Sequence, residues 1–166
     1  MPHIIDAGSD RDRNSLKLST KKGNHITNEL RKEASPATLK AAQNLHKDQN
    51  PAARLRSSTA TYNCMGMIFA CRRTWVAPEF LSLCLRKILK DDEYKKLERR
   101  DNLSIGDLVV YSDASGEITH IGAIASISPN IMGKTKYETL SKWGRDGEYF
   151  HDIEDVPYFL GKPSEY

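Results

Sequence analysis

Thr61-Tyr62-Asn63-Cys64-Met65-Gly66, running on into Met67-Ile68-Phe69-Ala70-Cys71, is the stretch on which the reading of this chain turns. A polar turn gives way there to an apolar run, and a short buried helix is expected over Met65 to Thr74 with Cys64 at its first turn. A thiol in that place points its sulfur at unpaired N–H groups and the positive end of the helix dipole, which favours thiolate. Farther along, Ile105-Gly106-Asp107-Leu108-Val109-Val110-Tyr111 leads through a Gly-containing turn into Ile118-Thr119-His120-Ile121-Gly122-Ala123-Ile124. A histidine therefore stands near the start of an otherwise apolar strand. Cysteine at a helix start and histidine on a later strand give, in outline, a nucleophile with its general base.

Outward from this pair, Pro78 opens a second helix in whose pattern Phe80, Leu81, Cys84, Leu85, Ile88 and Leu89 recur at helical spacing. Lys90 to Asn102 is a charged loop or exposed turn, and its Asp91-Asp92-Glu93 cluster reads as solvated charge. Three strand signals follow at Asp107–Tyr111, Ile118–Ile127 and Tyr137–Trp143, with turns at Asp113-Ala114-Ser115-Gly116 and Ser128-Pro129-Asn130. The region Tyr149–Leu160 adds a short strand. Helices first and strands afterwards predict an α+β domain, a core helix on an antiparallel sheet.

Upstream, residues 1–24 are polar and read as loop or disorder. Asn28 to His46 permits a helix, with Pro36 as a break or first-turn position, and Ser57 to Thr61 leads extended into the Cys64 turn. The expected division is a basic extension over residues 1–55 and a domain over residues 56–166. The charge supports it: residues 1–55 hold 10 Lys/Arg against 6 Asp/Glu, and the remainder 15 against 16. The excess is small and lacks an Arg/Lys run, which argues against nucleic acid as partner and leaves residues 1–55 to contact a protein.

With 39% hydrophobic residues, the chain supports one modest core. No apolar run is long enough to span a membrane, and no basic-then-apolar leader is seen, so the expected place is the cytoplasm or export by a non-classical route. Three cysteines without paired spacing suit reduced thiols. Their spacing matches no zinc motif and no phosphate loop occurs, so neither a metal nor a cofactor is expected. Cys71 and Cys84 read as small core residues.

The order Asn63-Cys64-Met65-Gly66-Met67-Ile68, then Gly106-Asp107-Leu108-Val109, then Thr119-His120-Ile121-Gly122 resembles the NlpC-like branch of the papain-fold cysteine peptidases. The match covers residues 60–143. It implies a papain-like fold with Cys64 as nucleophile and His120 as base, a third residue on the following strand to orient the histidine, and amide substrates, commonly cell-wall peptides. Ser141 holds that third position, with His151 as the alternative if the C-terminal strand folds back. Met65 replaces the small or polar residue that the branch commonly carries after its cysteine. Tyr62 and Asn63 are candidate oxyanion donors, Trp143 a cleft-wall aromatic, and Gly66 the point where the helix packs closely on the sheet. The chain is thus expected to be a thiol peptidase or amidase, in keeping with a delivered effector or toxin. An interaction module on the same fold and an acyltransferase using the same pair are the alternatives.

Overall fold

The structure is a computed structural model and describes residues 14–166. In chain order its elements are β1 (Asn28–Glu29), α1 (Pro36–Gln49), β2 (Arg54–Ser57), α2 (Cys64–Phe69), β3 (Trp75–Val76), α3 (Leu81–Asp91), β4 (Leu108–Ser112), β5 (Ile118–Pro129), β6 (Thr135–Trp143), β7 (Gly147–Asp152) and β8 (Lys162–Glu165). Strands β4 to β7 are successive neighbours, flanked by β2 and β8, and every pairing is antiparallel in the six-stranded order β2-β7-β6-β5-β4-β8. β1 and β3 form a separate antiparallel pair. The chain is α+β. Among the described residues, no helix is long and apolar enough to cross a membrane.

Strand alternation sorts the core into two layers. On one face Val110 and Ile121 pack with Cys64, Met65, Leu85 and Ile88 of α2 and α3. On the other, Val109, Tyr111 and Ile124 pack with Tyr137 and Ile153, beside a stack of Trp143, Tyr149 and Leu160. α1 covers that stack. Ser35 caps it by accepting a bond from the Thr38 N–H, and Pro36 takes the first turn, where a missing N–H costs nothing. The helix docks through buried His46, which bonds Asp146 and meets Trp143 and Tyr149 edge-on, while Leu45 remains half exposed.

Four local expectations are corrected. α2 stops at Phe69, because Cys71 and Arg72 adopt left-handed φ values of 49° and 64° and send the chain back to β3. Cys71 is consequently exposed, outside any helix, and Cys84 is only half-buried. Residues 1–13 lie outside the described residues, but residues 14–24 are packed: Leu18 joins the core, and Thr20 and Asn24 donate to the Asp91 carboxylate. With Asp92 accepting from the Lys21 N–H and Glu93 pairing with the Lys21 ammonium, the acidic cluster anchors the N-terminal segment and is not merely solvated charge.

Candidate active site

Asn63 sets the position of Cys64. Its Oδ1 accepts from the N–H groups of Gly66 and Val76, and its Nδ2 donates to the Val76 carbonyl, so one side chain caps α2 and ties it to β3. Gly66 then fits beneath the returning chain: a Cβ there would stand 1.8 Å from the Thr74 carbonyl oxygen, so the glycine serves this turn and not an approach to the sheet. Cys64 itself is only 5% exposed.

Burial dominates the thiol and pushes its pKa up to about 11, against the opposing pull of the Ile121, Met65 and Cys64 N–H groups and the Lys142 ammonium. A six-residue helix offers too little dipole to reverse that. Burial thus works against the expected thiolate at neutral pH.

The pairing register separates Cys64 from His120. Ile121 pairs with Val110 and His120 with Tyr111, while β5 skips Thr119 in a bulge, so Ile121 faces the α2 layer and His120 faces away from it. The imidazole lies 5.4 Å from the Tyr111 ring, its Nε2 has no hydrogen-bond partner among the described residues, and it makes no bond to the sulfur. Burial first, then the charges of His151 and Lys142, drive its pKa down to about 3. A base that weak serves poorly near neutral pH.

The remaining candidates are placed as follows. Ser141 bonds His151, not His120: Oγ to Nε2 is 2.7 Å, and Trp143 Nε1 donates to the same oxygen at 3.0 Å. Since His151 Nδ1 meets the Asp152 carbonyl, which only accepts, Nδ1 carries the proton, Nε2 accepts, and the Ser141 hydroxyl donates. This network is sealed, with Ser141 and His151 0% and 2% exposed. Trp143 stacks on Tyr149 in the same layer and walls no cleft beside Cys64. The Tyr62 hydroxyl donates to Glu148, and Asn63 is consumed by its cap, which leaves neither free as an oxyanion donor.

The sheet register sets Lys142, and not His120, on the face that α2 covers. Lys142 is fully buried on β6, its ammonium donates to the Gly144 carbonyl and lies over the Tyr62 ring, and its charge acts on Cys64. Burial lowers its pKa to about 8, opposed by Asp146, Cys64, Glu148 and Glu33. Beside it, buried Glu148 pairs with Lys142 across β6 and β7 and accepts from Tyr62, Arg56 and Arg72. Alternation along β6 carried the signal: Lys142 is out of phase with Ser141 and Trp143, and in phase with the strand face that α2 covers.

Residues 54–166 match the family model of a domain of unknown function, DUF7689. No curated protein and no solved structure matches the chain.

Proposed function

We propose, for a chain that belongs to the DUF7689 family, a cysteine hydrolase on a papain-like scaffold, in which Cys64 is the nucleophile and Lys142 takes the role of base. The reading is carried by one observation: a fully buried lysine stands on the face of β6 that α2 covers, whereas His120 faces the other layer. A lysine amine with its pKa brought near 8 is a competent base, as in Ser-Lys variants of the catalytic pair. A resemblance to NlpC-like enzymes is supported by the order of cysteine helix and antiparallel sheet.

In the proposed reaction the neutral Lys142 amine accepts the thiol proton, and the thiolate attacks the carbonyl carbon of an amide. The N–H groups of Ile121, Met65 and Cys64, which face the sulfur, are the donors at hand for the oxyanion. Collapse expels the amine, which takes the proton from the Lys142 ammonium, and leaves a thioester on Cys64. Water, losing a proton to Lys142, then releases the acid and restores the thiol. An acceptor other than water would make the same pair an acyltransferase.

A second reading, a non-catalytic interaction module, draws on the burial of the thiol and its pKa of about 11. p-Nitrophenyl acetate separates the two. The hydrolase reading expects acetylation of Cys64, read by peptide mass mapping, that persists in His120→Ala and is lost in Lys142→Met; acetylation confined to exposed Cys71 refutes it and leaves the module.

A further inference from the structure

Glu33 reaches from the segment ahead of α1 to the turn that leads into Cys64. Its Oε1 accepts from the Ala60 N–H at 2.6 Å and its Oε2 from the Thr59 hydroxyl at 2.5 Å. The carboxylate only accepts, so the Thr59 hydroxyl donates to it, and the Thr61 hydroxyl 3.0 Å away donates in turn to the Thr59 oxygen. Ala60 is buried and its carbonyl is fixed by the Trp75 Nε1–H, so the Ala60 N–H is held in place before any carboxylate arrives. The Lys142 charge acts on Glu33 as well as on Cys64, which places the clasp and the thiol within the field of one ammonium. A side chain on a separate segment thus occupies a preformed pair of donors four residues from the nucleophile. Charge-assisted bonds of this kind favour a carboxylate over a neutral group.

We infer that the Ala60 N–H and the Thr59 hydroxyl form a carboxylate-binding subsite, filled in the free protein by Glu33, and that the substrate carries a carboxylate near its scissile amide which displaces that side chain. The substrate class rests on the hydrolase reading; the subsite itself does not.

The test follows the Ala60 amide by 15N–1H NMR in the wild type, Glu33→Ala and Glu33→Gln, titrated with N-acetyl-glutamate and, separately, with N-acetyl-glutamine. In Glu33→Ala the Ala60 proton is expected to move upfield, and N-acetyl-glutamate to return it downfield with saturation, at concentrations that leave the wild type unmoved; N-acetyl-glutamine does not. Glu33→Gln, which keeps an acceptor, gives the same selectivity if the alanine variant fails to fold. An Ala60 resonance that ignores N-acetyl-glutamate in both variants, or answers both compounds alike, overturns the subsite. Carboxylate binding without an acyl-enzyme on Cys64 would keep the subsite and remove the hydrolase; an acyl-enzyme without carboxylate binding would do the reverse.

Discussion

His120→Phe tests the placement of the histidine through stability and not activity. His120 is 1% exposed and is held from its ordinary value of 6.5 down to about 3, chiefly by burial. Its folded pKa lies below the unfolded one, so the neutral ring contributes fully above pH 6.5, and the contribution is lost as pH falls from there towards 3. At about 1.4 kcal/mol per pKa unit, the full loss is about 5 kcal/mol, and roughly half of it is gone by pH 4.5. That is a large part of the 5–15 kcal/mol typical of a domain. Phenylalanine keeps a ring against Tyr111 and removes the Nε2 that has no partner, so the variant is expected within about 1 kcal/mol of the wild type at pH 7. Urea unfolding followed by tryptophan fluorescence at pH 7, 6, 5 and 4.5 reads the difference. His151, also lowered by burial, titrates in both proteins and largely cancels. The wild type should lose about 2–3 kcal/mol more than the variant over that range. Parallel pH profiles would refute the reasoning, since a histidine titrating normally is one that reaches solvent or the thiol.

Lys142→Met should slow iodoacetamide labelling of Cys64 about tenfold at pH 8 by removing the cation that favours thiolate, while His120→Ala changes it less than about twofold; a larger effect of His120 restores the expected Cys/His pair. Glu148→Gln should cost about 2–3 kcal/mol in urea melts, discounted because Arg56 and Arg72 are partly exposed. Burial opposes the Glu148 charge, yet Arg72, Tyr62 and Arg56 hold its pKa below the ordinary glutamate value. Its contribution is therefore complete above that value and fades as pH falls through the lowered one, a loss the Gln variant should not show. Gly66→Ala should cost on the order of 3 kcal/mol or prevent folding, since the carbonyl it would strike belongs to backbone; a melting temperature like that of the wild type would contradict the packing of α2 beneath Thr74.

Much of the local structure was legible. Apolar alternation located β4, β5 and β6, and the spacing of Leu81, Leu85, Ile88 and Leu89 located α3 to within a few residues. The early stop of α2 was not, because it depends on Arg72 being drawn back to Glu148, 76 residues away, through two left-handed residues. The docking of α1 is not legible for a similar reason: Leu39 and Leu45 suggest an apolar face, whereas a histidine makes the buried contact. Asn63 was read as a possible oxyanion donor, although an Asn just before an apolar run is also the ordinary signature of a helix cap.

By itself, the sequence determined the order of helices and strands, the thiol at a helix start, and the presence of a histidine and a lysine on the strands that follow. Period-two alternation also told which residues of β5 share a face, though not which face α2 would cover. Only the tertiary structure decided that, through the β4–β5 register and the bulge at Thr119, because a shift of one residue exchanges every side chain between the two layers. The exchange puts Ile121 under Cys64, sends His120 to Tyr111, and leaves Lys142 as the ionisable partner of the thiol.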